Sequence, residues 1–150
     1  ATKQYYSGIY MIPPLVFASY EMYMYTVYVN VEYYYKSTKY IAFNTIVAAI
    51  TNIVLNFIFV PLYGGMAACF TTVISYMVSF LMHSKHSRKL DRELFPLKQF
   101  AVPTLIFIIA IIIAYLLMEF WIVRWIIAIV GFIFYAAYAL LTKRFSNFLK

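Results

Sequence analysis

Five long runs of apolar residues leave this chain almost no polar face with which to meet water. They cover residues 9–31, 40–60, 66–82, 100–118 and 122–141. A helix rises about 1.5 Å per residue, so roughly 20 residues cross the ~30 Å hydrocarbon core of a bilayer. The bilayer core holds no water that could hydrogen-bond with unpaired backbone N–H and C=O groups. A helix pairs these groups internally, so each run is predicted to be a transmembrane helix.

The composition agrees with this prediction. Hydrophobic residues make up 65% of the 150 residues and charged residues only 11%, whereas a soluble domain carries about 25% charged residues. We therefore predict an all-α integral membrane protein with five transmembrane helices and a cytoplasmic loop at 83–99. No soluble linker or low-complexity segment divides residues 1–150 into further domains.

The cations lie almost entirely on one side of the membrane if the five helices alternate in direction. Only Lys3 and Arg124 fall on the opposite side. The other ten are Lys36, Lys39, Lys85, Arg88, Lys89, Arg92, Lys98, Lys143, Arg144 and Lys150. Cytoplasmic loops carry the excess of Lys and Arg, so the chain is predicted to begin outside and to end in the cytoplasm.

This arrangement also accounts for the net charge of +7. The cations are spread over short loops without a folded domain to present them, which disfavours nucleic acid as a partner. Membrane lipids are the expected partners of these basic loops.

Residues 36–76 indicate two membrane helices joined at an apolar corner. Asn44, Asn52 and Asn56 lie on one face of the first helix. Asparagine is costly in hydrocarbon and commonly hydrogen-bonds between helices, while small residues allow two backbones to approach. A facing set of small residues is predicted on the next helix, namely Ala68, Thr72, Ser75 and Ser79. Pro61 and Gly64 are predicted to stop the first helix and turn the chain.

The same stretch resembles the polysaccharide-biosynthesis flippases, the Wzx-type O-antigen and exopolysaccharide transporters of the MOP superfamily. The resemblance is carried by Lys36, Thr38, Lys39, Asn52, Leu55, Asn56, Pro61, Gly64, Ala67, Ala68, Thr71 or Thr72, Ser75 and Tyr76. It implies that the five helices form most of the C-terminal lobe of a larger two-lobed transporter, whose preceding spans lie upstream. It also implies packing roles for Asn56, Pro61, Gly64, Ala67, Ala68, Thr72 and Ser75.

The activity implied by the resemblance is translocation of an undecaprenyl-diphosphate-linked oligosaccharide across the inner membrane by alternating access. Neither a cofactor nor enzymatic chemistry is implied. The diphosphate needs cations, and Lys36 and Lys39 at the inner mouth are the nearest candidates for its capture. Alternatively, these two lysines only set the topology.

Glu21 is predicted near the middle of the first transmembrane helix, where an acidic residue costs about 2.5–3.5 kcal/mol. Asn52 is predicted at a similar depth and could accept or donate a hydrogen bond there. Tyr25 and Tyr28 lie one and two turns along the same face. These four residues are the candidates for an ion-coupling or cavity site that takes H⁺ or Na⁺; alternatively, Glu21 is a neutral, hydrogen-bonded packing residue. Pro13-Pro14 is predicted to kink or unwind the same helix.

Enzymatic and metal-binding patterns are lacking in the sequence. Asp91 is the sole aspartate, and no Gly-rich phosphate loop occurs. His83 and His86 lack further ligands at zinc spacing and are predicted to lie in a solvated loop end. Cys69 is predicted to be a small packing residue. Three alternatives stay open, namely a MATE-like cation-coupled antiporter that uses Glu21, a membrane-embedded polymerase or ligase of the same sugar pathway, and a non-transporting membrane scaffold.

Overall fold

The computed structural model describes residues 8–93 and 95–141, and over these the chain is helical apart from turns. The five helices are α1 (Ile12–Tyr34), α2 (Thr38–Tyr63), α3 (Gly65–Leu90), α4 (Lys98–Leu116) and α5 (Trp121–Leu141). No strand occurs in these ranges, so the predicted all-α class and the number of helices are confirmed. Four cations used to predict the orientation, Lys3, Lys143, Arg144 and Lys150, lie outside the described residues.

Three helices, α2, α3 and α4, are long and apolar enough to cross a membrane. This fits a membrane protein. Helix α1 falls short of the same apolarity, because it carries two glutamates, Glu21 and Glu32, among its tyrosines. Helix α5 has 21 residues, and its one charged residue is Arg124.

Pro13 and Pro14 begin α1 rather than kinking it. They occupy its first turn and are buried. The backbone N–H groups of a first turn have no partner within the helix, so a proline there loses no hydrogen bond. The predicted kink or unwinding therefore does not occur within α1, and a 3₁₀ turn at residues 8–11 precedes the helix.

The connection between α1 and α2 is a tight helix cap. The Lys36 N–H donates to the Tyr33 carbonyl at 2.9 Å, and the Ser37 N–H donates to the Glu32 carbonyl at 2.9 Å. These two hydrogen bonds define a common C-terminal helix cap. In this cap the residue just after the helix has left-handed backbone angles, and that residue is usually glycine. Lys36 takes it here, with a φ of 55°.

A single residue, Gly64, separates α2 from α3. Its φ of 65° and ψ of −153° belong to a backbone region that only glycine occupies readily. The predicted turn at Gly64 is thus confirmed. Pro61, by contrast, was expected to stop the helix but lies inside its last turn, and α2 continues to Tyr63.

Helix α3 lies between α1 and α2, which hardly touch each other. Its buried side repeats every fourth residue through Ala67, Thr71, Ser75, Ser79, His83 and Ser87. A four-residue repeat keeps these side chains on one helix face, and most of them are small enough for close helix packing.

Helix α3 also continues further than predicted. Residues 83–90, expected to belong to a cytoplasmic loop, form its last two turns, and the link to α4 is confined to 91–97. The reason is that His83, Ser84 and Ser87 extend the buried face and pack against the chain. At this end the Tyr35 hydroxyl donates to Asp91 at 3.1 Å, and that hydrogen bond raises the pKa of the Tyr35 phenol.

The chain divides into two compact units, Ala1–Ile112 and Ile113–Lys150. In the first, α4 meets α1 through aromatic contacts, with the Tyr20 ring stacked on Phe107 at 4.5 Å between centroids. In the second, a turn at 117–120 leads into α5, where the Phe120 N–H donates to the Leu117 carbonyl at 3.0 Å.

Candidate functional site

A hydrogen-bonded ladder of polar side chains joins α2 to α3. The Asn56 amide donates to Oδ1 of Asn52 at 2.9 Å, and the Thr71 hydroxyl donates to Oδ1 of Asn56. Asn56 therefore makes the interhelical contact that its spacing predicted. Its partner is Thr71 rather than the neighbouring Thr72, whose hydroxyl instead donates to the Ala68 carbonyl.

Beside this ladder, α1, α2 and α3 line a half-open cavity of about 380 Å³ that carries several polar side chains and is called the polar cavity below. Its wall consists of Tyr25, Thr45, Ala48, Ala49, Asn52, Thr72, Ser75, Tyr76 and Ser79. This volume is at the lower end of the range of small-molecule sites, about 300–1,000 Å³. Two predicted site residues, Tyr25 and Asn52, thus meet at one cavity, together with Thr72 and Ser75, which were predicted only to pack.

A buried acid–base pair adjoins this cavity. Nδ1 of His83 lies 2.6 Å from Oε2 of Glu32, and both side chains are fully buried, with 0% exposure. The ring of Tyr25 stacks on His83 at 5.8 Å and tilts against Tyr76 at 5.8 Å. Tyr25 therefore contacts the pair on one side and lines the polar cavity on the other.

The pair has spare hydrogen-bonding capacity. Within the part of the chain that the structure describes, Oε1 of Glu32 and Nε2 of His83 have no hydrogen-bond partner. With one proton between them the pair is neutral overall, with two it carries a positive charge, and with none a negative charge. Leaving Oε1 of Glu32 and Nε2 of His83 unpaired in a buried site costs free energy.

Sequence reasoning missed this pair. Glu32 was not singled out, and the prediction that His83 lies in a solvated loop end is wrong, because α3 continues past it. The missed signal was the four-residue repeat of Ser75 and Ser79, which continues through His83 to Ser87. His86, on the adjacent face, is half-buried and stacks on the Tyr40 ring at 3.9 Å.

Glu21 lies elsewhere. It is 3% exposed and lines an apolar cavity of about 490 Å³ between α1, α3 and α4. Its Oε2 has no hydrogen-bond partner among the described residues. Since α3 separates α1 from α2, the structure does not bring Glu21 to Asn52.

The two tyrosines proposed as partners of Glu21 have other contacts. The Tyr28 hydroxyl donates to the Phe95 carbonyl at 3.2 Å, and Tyr28 is almost completely buried. Tyr25 faces the polar cavity, as described above. The four residues grouped from the sequence are thus divided between two cavities and a loop contact.

Lys36 and Lys39 are exposed at the junction of α1 and α2. Neither lines the polar cavity. Among the residues predicted to pack, Ala67 is buried, Ala68 is half-buried, and Pro61 and Gly64 are exposed at the corner.

No group of three His, Cys, Asp or Glu side chains that could hold a metal ion occurs in the ranges 8–93 and 95–141. Comparison of the chain with protein-family models, curated proteins and solved structures gave no match. The chemistry of the polar cavity and of the Glu32–His83 pair is therefore the basis for assigning a function.

Proposed function

We propose that this chain forms most of the C-terminal lobe of a two-lobed transporter that moves a lipid-linked oligosaccharide across the inner membrane. The substrate class is an undecaprenyl-diphosphate-linked O-antigen or exopolysaccharide unit, and the mechanism is alternating access. The observation that carries the proposal is the polar cavity between three packed helices, adjoined by a buried acid–base pair. Polar side chains within membrane helices face cavities or pathways and are functional by default.

The cavity wall suits a sugar. Asn52, Thr72 and Ser75 carry amide or hydroxyl groups, and Tyr25 and Tyr76 present aromatic rings. Hydroxyl groups of a sugar need donors and acceptors when they leave water, because an unpaired polar group in an apolar setting costs free energy.

The Glu32–His83 pair is the coupling group that this geometry favours. It adjoins the polar cavity through Tyr25, and its charge changes with each proton gained or lost. A bound proton then shifts the balance between inward-open and outward-open forms, provided that it binds one form better than the other. Glu21 is the second candidate for H⁺ or Na⁺, since its Oε2 is buried without a hydrogen-bond partner among the described residues.

In this proposal α1 and α5 also cross the membrane, with the N-terminal end of α1 outside. Lys36 and Lys39 then lie at the inner mouth, on the side from which the lipid diphosphate arrives. Their exposure leaves both ammonium groups free to meet a phosphate.

A small-molecule antiporter of the MATE-like kind is the second candidate function. The volume of about 380 Å³ favours it, because a cavity of this size encloses a drug-sized ligand and only part of an oligosaccharide. In that case the same acid–base pair exchanges protons for a cationic solute.

A matched pair of asparagine variants tests these functions in cells. Asn52→Ala removes an amide from the polar cavity, whereas Asn30→Ala removes one from an exposed position on α1. The proposal expects Asn52→Ala alone to lower surface polysaccharide, with equal amounts of inserted protein for both variants. Unchanged polysaccharide combined with lost efflux of a cationic dye would favour the antiporter, and no change in either would contradict both functions.

A further inference from the structure

We infer that the end of α3 and the link to α4 form a binding site for a lipid diphosphate, with the headgroup in a basic groove and the hydrocarbon chain in an adjoining apolar cavity. The identity of the lipid rests on the proposed function, since that is the headgroup such a transporter must capture. Binding itself is measured without transport, so the two ideas succeed or fail separately.

The basic groove has a volume of about 590 Å³ and is lined by Leu81, Ser84, Lys85, Arg88, Lys89, Arg92 and Leu97. Lys85, Arg88 and Lys89 are three and four residues apart on α3, so their side chains project from one helix face. Arg92 follows the helix end and completes the lining. Four cations therefore converge on one concave surface, which concentrates positive potential there.

These cations have no acidic partner in the part of the chain that the structure describes. No carboxylate belongs to the lining of the basic groove, and none of its four cations forms an ion pair within the described residues. Nε of Arg88 is buried without a hydrogen-bond acceptor there. A guanidinium matches phosphate oxygens with two parallel hydrogen bonds, so a phosphate in the groove would supply the acceptors that Arg88 lacks.

The basic groove continues into apolar surface. Leu81 and Leu97 line both the basic groove and the apolar cavity of about 490 Å³ between α1, α3 and α4. The rest of that cavity wall is mostly aliphatic and aromatic, and its polar members are Thr104 and Glu21.

This succession of surfaces selects the class of ligand. A soluble anion would use only the basic groove, and an uncharged apolar molecule would use only the apolar cavity. An amphiphile with an anionic head and a long chain uses both, with the head in the basic groove and the chain against the wall of the apolar cavity. Four cations in one groove match the two to three negative charges of a diphosphate better than the single charge of an ordinary phospholipid headgroup.

Direct binding to the intact, detergent-purified protein tests the inference. The probe is fluorescent undecaprenyl diphosphate followed by anisotropy, with phosphatidylglycerol and inorganic pyrophosphate as competitors. We expect the lipid diphosphate to bind at least about tenfold more tightly than either competitor, because phosphatidylglycerol offers the four cations a single negative charge and pyrophosphate has no chain for the apolar cavity. Equal competition by phosphatidylglycerol would remove the preference for a diphosphate, and equal binding of pyrophosphate would remove the chain site; either result overturns the inference.

Substitutions of cations inside and outside the basic groove then test where the lipid binds. Lys89→Gln removes an exposed cation of the basic groove, and Lys98→Gln removes an exposed cation of α4 that does not line it. We expect Lys89→Gln to weaken binding about threefold to fivefold, the double variant Arg88→Gln/Lys89→Gln at least about tenfold, and Lys98→Gln less than twofold. Equal losses for Lys89→Gln and Lys98→Gln would mean general electrostatic attraction and would contradict a site.

A variant of the apolar cavity tests whether the hydrocarbon chain lies there. Leu105→Gln places an amide in the apolar cavity without touching the basic groove, so binding of the lipid should weaken while binding of pyrophosphate stays unchanged. If neither changes, the chain does not lie in this cavity. Lipid binding without oligosaccharide transport by the same preparation would retain the site and reject the proposed function, whereas transport with no lipid binding here would do the reverse.

Discussion

At the residue scale, the Glu32–His83 contact is the feature that a packing argument alone does not explain. Apolar residues would fill the same space at no cost in desolvation, and replacing a buried ion pair with apolar residues is often neutral or stabilising. Both side chains are fully buried at a separation of 2.6 Å. A pair of this kind is strongly coupled, because removal of one partner leaves the other buried and uncompensated.

This coupling predicts that the changes in the free energy of unfolding caused by the two single variants do not add up in the double variant. Glu32→Leu and His83→Leu should each lower the free energy of unfolding by about 3–5 kcal/mol, because each leaves a buried polar or charged partner. The double variant should cost less than the sum by roughly 1–3 kcal/mol. Unfolding by detergent titration, followed by far-UV circular dichroism, measures all three.

The exposed acid Glu93 supplies the control for this cycle. Glu93→Leu should change the free energy of unfolding by no more than about 0.5 kcal/mol. Additive effects of the Glu32 and His83 variants would show that the two side chains do not interact as the structure describes.

At the scale of elements, the corner between α2 and α3 rests on the backbone of one residue. Gly64 has positive φ with nothing near the position of an added Cβ, so strain there is purely conformational. Gly65 is helical, and an added Cβ would lie 3.0 Å from Cε of Met11, the movable end of a flexible side chain. Two adjacent glycines thus serve different purposes.

Alanine substitution should separate the two glycines. Gly64→Ala is expected to cost about 1–3 kcal/mol, because alanine does not readily adopt its φ and ψ. Gly65→Ala should change stability by less than about 1 kcal/mol, since Met11 can shift and alanine favours the helix. Thermal unfolding of the two purified variants measures the difference, and equal losses would contradict the backbone argument.

The sequence patterns predicted the five helices, but they did not predict which side chains contact each other. Long apolar runs indicated the five helices, and the four-residue spacing of Asn52 and Asn56 indicated the contact of α2 with α3. Depth along a helix, however, does not specify which face turns towards which neighbour. Glu21 and Asn52 were placed at one depth, but α3 lies between their helices.

The end of α3 shows a second limit of sequence reasoning. A falling hydropathy after Met82 predicted a loop, although the buried repeat continued through His83 and Ser87. The helix extends there because tertiary contact with Glu32 compensates for the polar side chain. Likewise, Pro13 and Pro14 lie in a first turn, a position where proline is compatible with a helix.

At the scale of the whole molecule, the proposed transport requires one orientation of the chain in the membrane. The basic groove and the exposed Lys36 and Lys39 must face the cytoplasm, where lipid-linked oligosaccharides are made. In a Cys69→Ser background, Tyr63→Cys should react with an impermeant thiol reagent in intact cells, and Lys89→Cys should react only after permeabilisation. Both positions are exposed, so accessibility within the fold does not limit the comparison. The reverse pattern of labelling would overturn the orientation.

The central claim is that proton binding at the Glu32–His83 pair is coupled to movement of a lipid-linked oligosaccharide. Reconstituted vesicles with an imposed pH gradient test it most directly, with flipping of a fluorescent lipid-linked oligosaccharide as the measured rate. We predict that the gradient accelerates flipping by the unmodified protein and by Glu93→Gln, and that the double variant Glu32→Gln/His83→Gln, which has no ionisable group left in the pair, flips at one rate with or without the gradient. Gradient-dependent flipping by the double variant, or flipping by the unmodified protein at the same rate with and without the gradient, would contradict the account.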